Sequence, residues 1–174
     1  DPTNPISVYG ESKREGEKLV LQTHHQHLVV RVSWVFGPAR PSFIDAMIKR
    51  ARESDRVDAI ADKFSTPTYT RDVAEMLPRF FDTDVANGIL HFANAGECSW
   101  QQYAQYALDC CHEAGMPLKT KTVDALKLSD MKNFIARRPI YTVLSTAEYT
   151  GLSRTAPRSW RDAAAEYIRT FVSR

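Results

Sequence analysis

Seven glycines stand at positions 10, 16, 37, 88, 96, 115 and 151. No two are spaced as Gly-x-Gly, so the chain has no turn of the kind that brings backbone N–H groups up to a pyrophosphate at the head of a helix. Cysteine is almost as scarce. Cys98, Cys110 and Cys111 make an odd count with no Cys-x-x-Cys, which argues against a disulfide scaffold and fits a reducing compartment, the cytoplasm. No apolar run reaches the roughly 18 residues of a membrane span, and the first residues given do not read as a secretory signal. Charge of one sign is lacking too. The 23 basic and 21 acidic residues are interspersed and net +2, so neither nucleic acid nor a membrane surface is an expected partner.

What is present suits one folded unit. A chain of 174 residues, 43% hydrophobic and 25% charged, has ordinary globular composition and can bury a proper core. No repeat, low-complexity segment or interdomain linker interrupts it.

The densest chemical signal lies near the start, in Pro5-Ile6-Ser7-Val8-Tyr9-Gly10-Glu11-Ser12-Lys13-Arg14-Glu15-Gly16-Glu17. Tyr9 and Lys13 are four apart on a segment whose pattern predicts a helix over 9–23. Residues i and i+4 share a helical face, so a phenol and an ammonium are held side by side. A cation there favours the phenolate and suits the tyrosine to proton transfer. Ser12, Gly16, Leu19, Val20 and Thr23 form a stripe whose small members would admit a close neighbour.

The spacing Pro-x-x-x-Tyr-Gly-x-Ser-Lys-x-x-Gly-Glu resembles the active-site helix of the extended short-chain dehydrogenase/reductases, which act mostly on nucleotide-activated sugars. That resemblance implies Tyr9 as general acid/base and Lys13 as its partner, hydrogen-bonded to the nicotinamide ribose. The family's third catalytic residue, a Ser or Thr about twenty residues upstream, has no counterpart among the eight residues before Tyr9. With no dinucleotide turn either, residues 1–174 are expected to be the C-terminal part of such an enzyme, without its N-terminal dinucleotide-binding half. The implied fold class is α/β: an active-site helix and late strands of a doubly wound Rossmann-type sheet, with a small α+β substrate-binding portion.

Downstream, residues 28–36 are β-rich and read as one strand buried in a parallel sheet, ended by Gly37-Pro38. Ser42 can cap a helix to about residue 54, with Phe43, Ile44, Met47, Ile48 and Ala51 inward. A short strand over 57–61 and a loop over 62–69 follow. Thr70 then caps a helix that Pro78 should kink or end. Asn87-Gly88 turns into a strand over 89–93. Ser99 and Gln102 form a capping box for a helix to about residue 114, with Gly115 and Pro117 at its stop. A strand over 121–123 and a final helix from about residue 159 complete the pattern.

Several of these segments resemble one branch of the family, the dTDP-4-dehydrorhamnose reductases, in the same order: Arg31 to Gly37, Asp62 to Tyr69, Gly88 to Trp100, and Arg138-Pro139 with Leu144. The resemblance implies an NAD(P)H-dependent reductase of a nucleotide-linked 4-keto sugar. Val32 and Ser33 would join Tyr9 and Lys13 at the cofactor, and Trp34, Phe43, Thr66, Pro67, Thr68 and Arg138 would meet the substrate. A homodimer follows by analogy. The chain departs from the branch at Lys63 and Ser65, where Asp-Gln-x-Gly is usual, and at Ser42 and Ser12; these changes bear on substrate identity more than on reaction type. An epimerase or dehydratase of the family would keep Tyr9 and Lys13. A non-catalytic subunit like the regulatory subunit of methionine adenosyltransferase would keep the fold.

Each substrate-side residue also has a plainer role open to it. Trp34 is either core or a ring stacked on a sugar or base. Arg137 and Arg138 are either solvated or paired bidentately with a diphosphate. Thr66-Pro67-Thr68 is first a shaped loop. His24, His25 and His27 suit a helix C-terminus and carry no zinc motif, so no metal is expected. His91 reads as a hydrogen-bonded strand residue.

Overall fold

The computed structural model describes residues 3–81, 87–132 and 134–172. In chain order its elements are α1 (Val8–Thr23), β1 (Leu28–Arg31), β2 (Val35–Phe36), α2 (Phe43–Glu53), β3 (Val57–Ile60), β4 (Phe64–Ser65), β5 (Thr68–Tyr69), α3 (Thr70–Met76), β6 (Gly88–His91), β7 (Cys98–Ser99), α4 (Trp100–Glu113), β8 (Val123–Leu126), α5 (Ala147–Ser153) and α6 (Trp160–Tyr167). Short 3-10 turns follow α3 and β8, and α6 widens into a π turn over Ile168–Val172.

Ser7 starts α1 by accepting the Gly10 N–H on its hydroxyl at 3.2 Å, which satisfies one of the donors a helix start leaves free. None of the residues of α1 is buried, and a Cβ on Gly16 would meet nothing within 4 Å. The neighbour expected along Ser12 and Gly16 is therefore not supplied by the described residues. The helix is instead fastened at Glu17, whose carboxylate accepts from Arg31 Nε and Nη2 at 2.7 and 2.6 Å.

The β-rich stretch over 28–36 is two strands rather than one. β1 pairs in parallel with β6 and β2 in parallel with β5, and Trp34 between them has φ +41°, a left-handed conformation that no pleated strand adopts. β1 is half-buried along its length, not enclosed as a central strand would be. β3 pairs in parallel with β8, which begins at Val123, the last residue of the strand expected over 121–123, and runs on to Leu126. The stretch over 62–69 is more than a loop: β4 pairs antiparallel with β7, and β5 follows two residues later.

Two cores hold these pairs. In the larger, Ile44, Met47, Ile48 and Ala51 of α2 pack with Tyr103, Ala104, Ala107, Leu108 and Cys111 of α4 and with Trp160, Ala163, Ala164 and Tyr167 of α6. Each large apolar side chain so buried contributes about 1.5 to 3 kcal/mol. The smaller joins Met76, Phe80, Leu90, Phe92 and Tyr149. Helix starts follow the sequence closely. The Asp45 carboxylate accepts from the Ser42 N–H and hydroxyl at 2.7 and 2.8 Å, and Ser99 and Gln102 make their reciprocal box at α4. Thr70 is the first residue of α3 and not its cap, and the α-helix gives way to a 3-10 turn just before Pro78, as a missing N–H requires. α5 carries no strong sequence signal and was not expected.

Candidate active site

Tyr9 and Lys13 lie on one face of α1, with the Lys13 Nζ 5.6 Å from the centre of the Tyr9 ring. Tyr9 is 73% exposed. Both line an open cavity of about 740 Å³, shared with Gly16, Glu17, Val32, Ser33 and Thr142. The Glu17–Arg31 pair sets the distance between α1 and β1 across that cavity. The Arg31 guanidinium beside Glu17 holds its carboxyl below the usual carboxylate range, so the pair is ionised at neutral pH. Arg31 also reaches His91 Nε2 at 3.4 Å, and burial, with Arg31 second, lowers the pKa of that half-buried imidazole.

Beyond β1 the backbone turns through Val32, Ser33 and Trp34. Ser33 is held by its N–H donating to Thr68 Oγ1 at 3.4 Å and by its hydroxyl against Ser65 Oγ at 2.5 Å. The Trp34 carbonyl accepts the Thr68 N–H at 3.2 Å. Its ring is stacked 6.2 Å from Tyr103 and set edge-on 5.7 Å from Trp100, at a narrow pocket of about 110 Å³ that Phe43 and Ser42 also line. The Trp100 Nε1 and the Tyr103 hydroxyl are buried and have no hydrogen-bond partner.

Thr66, Pro67 and Thr68 are buried and line none of these cavities; Thr68 acts from behind, by fixing Ser33 and Trp34. Trp34 and Phe43 thus share one pocket, while Tyr9, Lys13, Val32 and Ser33 share another. Arg138 stands apart from both, on a third cavity of about 940 Å³ that it shares with Arg137, Pro139 and the Tyr9 end of α1. The guanidinium of Arg138 lies 4.2 Å above the Phe134 ring. Its segment is pinned to β4 by the Phe64 N–H on the Ile140 carbonyl at 2.8 Å and the Thr142 N–H on the Phe64 carbonyl at 3.0 Å.

Sequence patterning missed two features. Lys63, visible only as a departure from a motif, is buried and donates to the Pro139 carbonyl at 2.5 Å. Asn94 is buried at the centre of a polar network, accepting the Tyr69 N–H at 2.8 Å and donating to Asp72, which also pairs with Arg158. The thiols offer no reactive centre: burial pushes Cys98 and Cys111 up to about 12. His24 and His25 stack on each other, and His27 Nδ1 lies 2.9 Å from Thr23 Oγ1. Among the described residues no group of three or more His, Cys, Asp or Glu side chains is placed to hold a metal ion, and no helix is long and apolar enough to cross a membrane.

The family model described as the RmlD substrate binding domain matches residues 1–173. The chain belongs to this family. Relatives of the RmlD family include the spore coat polysaccharide biosynthesis protein SpsK of Bacillus subtilis strain 168, 34% identical over 97% of this chain and 56% of its own length. The dTDP-4-dehydrorhamnose reductase of Mycolicibacterium smegmatis is 33% identical over 99% of this chain and 51% of its own. The chain therefore spans about half the length of these relatives. The crystal structure of dTDP-4-dehydrorhamnose reductase from Bacillus anthracis str. Ames in complex with NADP superposes with a TM-score of 0.84 at 27% identity, covering 98% of this chain and 58% of that one. The fold extends to UDP-galactose 4-epimerase, with a TM-score of 0.71 at 20% identity. It is the Rossmann-type fold of extended short-chain dehydrogenases.

The donor set on the Tyr9 cavity fits one end of a nicotinamide dinucleotide. An ammonium and a phenol can hold ribose hydroxyls, and Val32 beside them offers an apolar surface to a planar ring. It does not fit the other end. The one glycine on this cavity, Gly16, lies mid-helix, where its N–H is committed to the helix, so the described residues that line it form no glycine cradle for a pyrophosphate.

Proposed function

We propose that the chain is the C-terminal, substrate-binding part of an NAD(P)H-dependent reductase of nucleotide-linked 4-keto sugars, with its dinucleotide turn on a preceding half. The observation that carries this reading is the convergence of the Tyr9 phenol, the Lys13 ammonium and the Val32-Ser33 backbone on one cavity. The bound nicotinamide supplies the hydride. Tyr9 Oη gives its proton to the sugar C4 oxygen as that oxygen gains charge, and the exposed phenol is reprotonated from solvent. Lys13 holds positive charge beside the phenol and a donor toward the ribose. Glu17 and Arg31 keep α1 at a fixed separation from β1, so Tyr9 Oη stays aimed at the same point. The pocket of Trp34, Phe43, Trp100 and Tyr103, separate from the Tyr9 cavity, presents aromatic faces to a ring of the substrate other than the reacting sugar, and Arg138 takes the diphosphate.

In the full-length protein, Tyr9→Phe removes the proton donor and almost no volume. Its kcat on a dTDP-linked 4-keto sugar with NADPH is expected to fall by about 10² to 10⁴ with folding intact. Turnover near wild type in that variant would remove Tyr9 from the chemistry.

A further inference from the structure

Lys63 lies between β3 and β4 and is 5% exposed. Its ammonium has one hydrogen bond, to the Pro139 carbonyl, and no ion pair with a carboxylate among the described residues. Asp62, next in sequence, is turned to the Leu128 N–H at 2.8 Å, and Glu97 accepts from the Tyr141 hydroxyl. The neighbouring charge that acts on Lys63 is of its own sign: burial, and then Arg138, lower its pKa from the ordinary lysine value. A buried cation without a counter-charge is costly, and proteins keep one where an anion completes it.

The carbonyl that Lys63 holds belongs to the wall formed by Ala136, Arg137, Arg138 and Pro139, which faces Tyr9 across the 940 Å³ cavity. Arg137 and Arg138 also make no ion pair among the described residues. Two arginines thus line this wall and Lys63 stands behind it at Pro139, with no carboxylate paired to any of the three among the described residues. We infer that Lys63 is a specificity-determining residue whose buried charge, behind Arg137 and Arg138, is balanced by the diphosphate of the substrate. This rests on the nucleotide-sugar reading above. Lys63 does not touch the ligand; it fixes the arginine-bearing segment through Pro139 and adds a positive field behind it, which a neutral donor at the same position would not supply.

The test uses the full-length protein, with calorimetric titration of dTDP and of thymidine at two salt concentrations, and of UDP and GDP with wild type. Lys63→Gln keeps a donor for Pro139 and removes the charge; Lys63→Met removes both. Both variants are expected to bind dTDP about tenfold more weakly, with a shallower salt dependence and unchanged thymidine binding. Without ligand the thermal midpoint of Lys63→Gln should equal or exceed wild type, because an uncompensated buried charge has been removed and the Pro139 carbonyl keeps a donor, and dTDP should raise the midpoint of both variants less than it does in wild type. If Lys63→Gln binds dTDP as wild type does, the inference is overturned and the lysine only tethers Pro139. If wild type itself binds none of dTDP, UDP or GDP, the nucleotide-sugar reading falls, and this inference with it.

Discussion

A tryptophan held at φ +41° is a position where the backbone bears strain, of order 1 to 3 kcal/mol, for the sake of where the side chain points. The Trp34 carbonyl bonds to Thr68, and its ring meets Trp100 and Tyr103 at the rim of a pocket instead of in the closed core. Both phenylalanine and tryptophan carry the same backbone cost, so Trp34→Phe isolates the ring. In the full-length enzyme it should raise KM for the nucleotide sugar with kcat little changed and stability within about 1.5 kcal/mol of wild type. Unchanged saturation kinetics together with a loss of several kcal/mol would make Trp34 a packing residue only. Residues of this kind are half legible in sequence: the type and place of Trp34 were suggestive, but its left-handed backbone was not, since only glycine announces such a conformation.

At the scale of elements, α3 and the α6 region are tied through charge. Arg158 joins Asp72 at 2.7 Å and Glu166 at 2.5 Å, and Arg71 adds a second contact to Glu166 at 2.8 Å. Hydrogen bonding from Arg158, above all, holds the Glu166 carboxyl below the usual carboxylate range. A carboxyl whose folded pKa is depressed stabilises the fold above its unfolded value, about 4.3, and that contribution is lost as pH falls through the folded value. Glu166→Gln should therefore lower stability at pH 7 by about 1 kcal/mol, after allowance for solvent screening of the partly exposed Arg158, and the difference from wild type should shrink steadily as the pH is taken below about 4.3. Thermal unfolding across that range checks this, and an equal loss throughout would assign the effect to packing. The helices themselves were readable because their starts are local: Ser7, Ser42 and Ser99 each stand within three residues of the groups they satisfy. β8 and α5 were misplaced or missed because their existence depends on β3 and on the Phe92 cluster, which are remote in sequence.

For the whole molecule, the proposed division of the dinucleotide site has a measurable consequence. The 174-residue chain places Tyr9 and Lys13 on one cavity, and its seven glycines make no Gly-x-Gly turn. Titrated with NADPH, the 174-residue chain is expected to bind far more weakly than the micromolar range, as the proposed placement of the dinucleotide turn outside these residues requires. Micromolar affinity in the isolated chain would mean that other residues do the work of the glycine turn. The bare α1 and the half-buried β1 agree with this expectation, since a strand paired on one edge and a helix with no buried residue are surfaces that another layer can cover.

The sequence by itself determined the local chemistry. The Tyr9–Lys13 pairing follows from helical period alone, the helix starts follow from short polar caps, and the missing dinucleotide turn follows from the spacing of seven glycines. Tertiary structure alone decided what was brought to those residues. The separation of the Trp34 pocket from the Tyr9 cavity depends on how β2 pairs with β5. The retreat of Thr66-Pro67-Thr68 behind Ser33 depends on β4 meeting β7, and the burial of Lys63 against Pro139 spans 76 positions of chain. Such contacts arise from the packing of distant segments into one core. The free energy of burying a side chain is set by all of its neighbours in space, of which the adjacent sequence supplies only a few.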